Sequence, residues 1–195
     1  RETISMENSI LKQVVRTIAS EASVENSSDD SRPPDSEGPF EKLKQLGQDW
    51  LDRNLLWFMN FYPPYLGAGI RIDEYDSEFR SIQVKMDLNW WNQNYVGTQF
   101  GGSLYSMCDP FYMLMLLNNL GPEYEVWDKS ASIRFRKPGE GTVHARFELE
   151  DEDLERIRQD VSETGVAEPV FTVTVNDESG QTIAEVDKVL HVSKK

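Results

Sequence analysis

Hydrophobic positions along this chain fall into two kinds of run, some spaced three and four apart and others alternating singly. Near the N-terminus, Ile10, Leu11, Val14, Val15 and Ile18 repeat at helical spacing, which predicts a short amphipathic helix within residues 5–22. Residues 23–38 (SVENSSDDSRPPDSEG) carry Val24 as their one aliphatic side chain among acids, serines and prolines, the pattern of a flexible linker. From Pro39 the composition changes. Leu43, Leu46, Trp50, Leu51 and Leu55 trace an amphipathic helix that should end before Tyr62-Pro63-Pro64, because proline cannot continue a helix. The chain thus divides into residues 1–38, a helix plus acidic linker, and residues 39–195, a folded domain.

Within that domain the period changes to two. Residues 70–75 and 79–88 have strand character, the second placing Ile82, Val84 and Met86 on one face and Gln83, Lys85 and Asp87 on the other. The turn Asp76-Ser77-Glu78 makes them a hairpin. A loop over 89–100 follows, then a helix to about Leu120, stopped by Gly121-Pro122. Further strands are predicted at 130–136, 142–149, 170–175 and 182–192, with a short acidic helix at 151–161 between the second and third. From Leu104 to Leu117 the central helix is apolar on every side, so it should be buried all round. A mostly antiparallel sheet wrapped around it, an α+β architecture, would do this.

One acid interrupts that helix. Asp109 stands among Met107, Cys108, Phe111 and Met113, where a carboxylate is costly unless paired, hydrogen-bonded or protonated. Gly101-Gly102 opens the helix and leaves its first N–H groups approachable to an anion or a polarised carbonyl. Asn94 lies upstream as a possible further donor. Pro110, directly after the acid, removes one N–H and should kink the helix at that point.

The totals narrow the partners. Acids outnumber bases 34 to 20, for a net charge of −14. Such a balance argues against nucleic acid or an anionic membrane as a partner, since both require a basic surface. It leaves room for a small anionic ligand held by a local basic cluster. The lone Cys108 has no partner within the chain for a disulfide, which suits a reducing compartment. No apolar run approaches the ~18 to 20 residues of a membrane span, and the N-terminus has no continuous apolar signal core. The expectation is a cytoplasmic protein. The chain opens on Arg1, with Met6 as a candidate start. His144 and His191 have no ligand-spaced partners, so no metal site is expected.

The segment from Asn94 to Asp109 resembles the signature of the phenylacetyl-CoA-type acyl-CoA thioesterases of the hotdog fold. In that signature an amide residue precedes a glycine, a His-Gly-Gly follows, and an acid stands nine residues after the His. Here Asn94, Gly97, Gly101-Gly102 and Asp109 match, while Phe100 replaces the histidine. GTQFGGSLYSMCDPFYMLML and VWDKSASIRFRKPG are similar to a hotdog branch catalogued as a domain of unknown function. The resemblance runs from about Leu55 to Val192 and excludes residues 1–40.

The resemblance implies hydrolysis of an acyl-CoA or acyl-carrier-protein thioester, with no cofactor beyond the coenzyme A of the substrate. Asp109 would act as general base or nucleophile, with Asn94 and the Gly101 and Gly102 amides polarising the carbonyl. Phe100, Trp90, Trp91 and Tyr95 are candidates to line the acyl or pantetheine slot and serve equally as lid and dimer contacts; Ser103 is a further substrate-binding candidate. Lys129, Arg134, Arg136 and Lys137 are candidates for the nucleotide phosphates; they serve equally as strand charges offsetting nearby acids. In relatives the site is shared across a homodimer, which can pair into a tetramer. A non-catalytic acyl-thioester-binding or regulatory module is the alternative, favoured by Phe100, whereas retention of Asp109 favours the enzyme. A dehydratase ordinarily needs a His paired with an acid, and no His lies near the central helix.

Overall fold

The computed structural model describes residues 55–57 and 59–195. The helix and linker expected over 1–38, and nearly all of the helix expected over 43–55, lie outside the described residues. The first complete element is a helix, α1 (Pro63–Ala68), where the prolines had been expected only to end one. Proline suits the first helical position because that N–H has no intrahelical partner anyway. Gly69 closes α1 in the left-handed region at φ 75°.

Strands β1 (Ile70–Tyr75) and β2 (Ser81–Met86) form the expected hairpin. The remaining strands are β3 (Tyr124–Phe135), β4 (Val143–Glu148), β5 (Val166–Ala167), β6 (Val170–Asp177) and β7 (Thr182–Lys194). They make a seven-stranded sheet in the order β1-β2-β4-β6-β7-β3, with β5 pairing to β7. Every pairing is antiparallel. Alternation decides which face is inside: Ile82, Val84 and Met86 in β2 and Val143, Ala145 and Phe147 in β4 are buried, while their neighbours are more exposed.

The single helix expected over 101–120 is two helices, α2 (Gly101–Ser106) and α3 (Phe111–Leu120). Pro110 caps the second at φ −93°, so the ladder breaks at the residue after the acid. Phe111 lies 4.9 Å from Phe147, and Tyr112 stacks on Phe171 at 4.4 Å, fixing α3 against the inner sheet face. Among the described residues, burial is not complete on every side. Met107, Cys108, Phe111, Met115 and Leu116 are fully covered, whereas Met113 and Leu114 are half-buried and Leu117 is exposed. The sheet covers one side of the helix pair and leaves an apolar outer side.

Helix α4 (Asp151–Thr164) lies between β4 and β5. Its capping box joins Glu150 and Asp153, its three first-turn acids suit a helix N-terminus, and it buries Leu154, Ile157 and Val161. This is the hotdog arrangement expected above: an antiparallel sheet curved around a central helix.

Candidate functional site

The α2–α3 break delivers Asp109 to an unexpected partner. Lys188 projects inward from β7 and donates to Asp109 Oδ1 at 3.1 Å. Its ammonium also lies 3.1 Å from Asp128 Oδ2 on β3 and 3.4 Å from the Tyr105 hydroxyl on α2. The lysine side chain is 0 % exposed, whereas that of Asp109 is 50 % exposed. Asp109 is therefore not sunk in apolar surroundings. It stands at the rim, one oxygen turned to a buried cation.

Electrostatics follow this geometry. Burial works against the charge of Lys188, but Asp128 and Asp109 outweigh it and hold the ammonium above the ordinary lysine value. Burial lifts the Asp128 carboxyl above the usual carboxylate range, with Lys188 opposing, and its Oδ1 is buried without a hydrogen-bond partner. The Tyr105 hydroxyl is raised by burial and by Asp109. Cys108, next to the acid, is pushed up to about 12 by burial, so it is a thiol at neutral pH and a poor nucleophile.

Sequence reasoning missed Lys188 and Asp128. The signal was present, because Lys188 occupies the inward register of β7 with Val186, Leu190 and Val192, all at 0 %. Asp128 shares the inward register of β3 with Tyr124 and Val126, just before a register shift between Asp128 and Ser130. Such bulges re-aim side chains.

Four of the other predicted residues, Asn94, Gly101, Arg136 and Lys137, come together at the opposite end of α2. Asn94 and Gly101 border an open hollow of about 390 Å³ with Leu104, Phe135, Arg136 and Lys137. The Asn94 side chain is engaged in its own loop: its amide donates to Thr98 Oγ1 and the Gln99 carbonyl, and its oxygen accepts from the N–H groups of Val96 and Thr98. Two other amides anchor this loop. Buried Asn92 donates to the carbonyls of Ala68 and Asp87, and buried Gln99 to those of Met86 and Gly141.

The Phe100 ring lies over Gly102, where a β-carbon would fall 2.6 Å from it, and Phe135 closes on Gly101 in the same way at 3.0 Å. Ser103 lies in the first turn of α2, its carbonyl accepting from Met107 N–H. Trp90, Trp91 and Tyr95 stand exposed on the loop.

Of the basic candidates, Arg134 is engaged by Glu185 and Asp187 of the neighbouring strand. Lys129 pairs with Glu168. For these two the offsetting of nearby acids is what the structure shows. Arg136 reaches Glu185 at 3.3 Å and Lys137 reaches Gln181 at 2.8 Å, and both still face the hollow. Among the described residues no three His, Cys, Asp or Glu side chains gather as a metal site. The His191 ring stacks on Trp127 at 3.9 Å. No helix among the described residues is long and apolar enough to cross a membrane.

Residues 53–192 match the family described as "Domain of unknown function (DUF4442)". No curated protein matches the chain. Among solved structures, the fold is similar to a protein of unknown function from Pseudomonas aeruginosa described as a probable thioesterase. That match has a TM-score of 0.64 at 20 % identity, covering 75 % of this chain and 96 % of that one. A thioesterase from Haemophilus influenzae aligns with a TM-score of 0.50 at 15 % identity, covering 82 % and 93 %. A protein of unknown function from Chlorobaculum tepidum aligns at 0.56 and 18 %, covering 80 % and 97 %.

Proposed function

This chain belongs to the DUF4442 family, and from that premise we propose that it is a thioester hydrolase acting on acyl-CoA or an acyl-carrier protein. The observation that carries the reading is Asp109: an acid at a helix break, half-exposed, with one oxygen tethered by a buried ammonium. A carboxylate held that way keeps its second oxygen for chemistry. In one route it takes a proton from water as the water oxygen adds to the thioester carbonyl. In the other it attacks the carbonyl itself, giving an anhydride that water then opens. Either way the C–S bond breaks, the thiolate leaves and is protonated, and one water is consumed. In the anhydride route its oxygen enters the product when water attacks the acyl carbon, and Asp109 when it attacks the aspartyl carbon.

The negative charge that develops on the carbonyl oxygen needs donors. The N–H groups of Gly101 and Gly102 open α2, where they have no carbonyl one turn back to bond. Asp109 lies past the other end of the same helix. The reading therefore requires a homodimer in which one copy's α2 start faces the other copy's Asp109. The apolar outer side of α3, with Met113 and Leu117, supports such a pairing. Arg136 and Lys137, at the hollow beside Asn94 and Gly101, are the bases placed to meet nucleotide phosphates.

Phe100 over Gly102 favours a second reading, an acyl-thioester-binding module without turnover. Thiol release from a panel of acyl-CoAs, by the native chain and by Asp109→Asn, separates the two. The hydrolase reading expects release by the native chain and near-loss in the variant. Binding of acyl-CoA with no release from any chain length establishes the module instead.

A further inference from the structure

We propose that Lys188 is the positioning residue for Asp109, braced from behind by Asp128, so that one carboxylate oxygen is held inward and the other is presented to substrate. This inference rests on the hydrolase reading of Asp109.

Packing does not explain a lysine at this position. The inward neighbours on β7, Val186 and Leu190, are fully buried, and an aliphatic side chain would continue that face. A buried ion pair is often no more stabilising than a hydrophobic replacement of the same volume, so fold stability alone gives no reason for the ammonium. Its three N–H donors meet three acceptors, Asp109 Oδ1, Asp128 Oδ2 and the Tyr105 hydroxyl, which leaves it no alternative partner and one orientation.

The two acids are unequal. Asp128 is 26 % exposed at its side chain and sits beside the β3 register shift, whereas Asp109 is 50 % exposed at the rim. The cation thus joins an inner, less exposed acid, one of whose oxygens is buried, to an outer one at the rim. The remaining titratable groups facing this pair are Tyr105 and Cys108 from the helix side, and Tyr65 from α1, whose hydroxyl donates to the Ser106 carbonyl at 3.4 Å. Burial favours the protonated form of each, so none of the three adds a negative charge beside the pair at neutral pH.

Orientation errors of about 1 Å lower rates by roughly 10²-fold. The test uses the full chain and its best acyl-CoA substrate, with Lys188→Met, Asp128→Asn, Asp109→Asn and their combinations. Lys188→Met should lower kcat by ~10- to 100-fold while KM stays within about two-fold, because the oriented acid and not the binding surface has changed. Asp128→Asn should show a smaller loss in kcat alone, and it decides the matter if Lys188→Met does not fold. In the Asp109→Asn background, Lys188→Met should lower the rate no further. A Lys188→Met kcat within about two-fold of native overturns the proposal, as does a full additional loss in the Asp109→Asn background. If the native chain itself releases no thiol, the hydrolase reading falls and this proposal falls with it. Native activity lost only at Asp109 leaves the hydrolase reading intact and removes Lys188 from it.

Discussion

Replacing Lys188 with methionine should destabilise the fold by about 3 kcal/mol at neutral pH. The ammonium is fully buried between Asp109 and Asp128 at 3.1 Å each. Breaking a buried pair by removing one partner costs about 3–5 kcal/mol, chiefly because the other charge is left uncompensated. Asp109 is half-exposed and can turn to water, so it contributes little to that penalty. Asp128 cannot turn as freely, which places the expected loss near the lower end. Methionine nearly preserves volume, so Lys188→Ala should lose roughly 2–5 kcal/mol more through the cavity it opens. Adding Asp128→Asn to Lys188→Met removes the orphaned charge and should recover most of the deficit.

The pH dependence has a definite sign. The Asp128 carboxyl is already raised in the fold, so its ionisation is a burden that disappears as pH falls. Without Lys188 that burden grows, and the gap between variant and native should narrow from pH 7 towards pH 4. The raised Lys188 contributes stability that is present below its ordinary value of 10.5 and is lost as pH rises through the folded value. The native protein should therefore weaken at strongly alkaline pH, and Lys188→Met should lack that limb. Urea unfolding followed by circular dichroism across pH measures all of this; about 3 kcal/mol corresponds to ~6–12 °C in Tm for a domain of this size. A Lys188→Met protein within about 0.5 kcal/mol of native at pH 7, with no change in the gap towards pH 4, would refute the reasoning.

Three further outcomes are expected. Gly69→Ala should cost about 2 kcal/mol or more by thermal unfolding, since φ is 75° and a β-carbon would fall 2.6 Å from the Asn92 amide that bonds Ala68 and Asp87. Asp76→Asn should lose roughly 1–3 kcal/mol at pH 7, because the carboxylate accepts from the N–H groups of Glu78, Arg80 and Ser81 across a turn that holds Phe79 at φ 57°. Burial opposes that carboxylate, but the amides prevail and its pKa is lowered, so the advantage holds above the ordinary value of 3.8 and should vanish as pH falls through the folded one. Phe147→Ala, which removes a fully buried ring packed on Phe111 and Tyr112, should cost about 3–5 kcal/mol in the same urea assay.

Much of this architecture was legible as period-two patterning. β2, β4, β6 and β7 each bury one face, and a slip of one residue would reverse that face, so their alternation is strongly written into the chain. What was not legible had physical reasons. β5 is two residues long and carries no pattern. β3 begins at Tyr124, six residues before the expected start, because an exposed Trp127 and an inward Asp128 reverse the alternation that Tyr124 and Val126 begin. The site was half-readable. Asp109 stood out because an acid in an apolar run demands a partner, yet that partner lies 79 residues away on β7. Lys188 was passed over because a charge in a strand is normally assigned to the solvent face. The all-round apolar character of residues 104–117 implied a cover that the described residues supply on one side only.

The central claim is that Asp109 performs thioester hydrolysis, and its most direct measurement is kcat/KM of Asp109→Asn against the native chain on the acyl-CoA that the native chain cleaves fastest. The variant keeps the size of the side chain at a half-exposed position and leaves Lys188 paired with Asp128, so it should still fold. A loss of about 10²- to 10⁴-fold in a variant that still unfolds cooperatively is the predicted result. Turnover within about three-fold of native would contradict the account and move the chemistry to another residue.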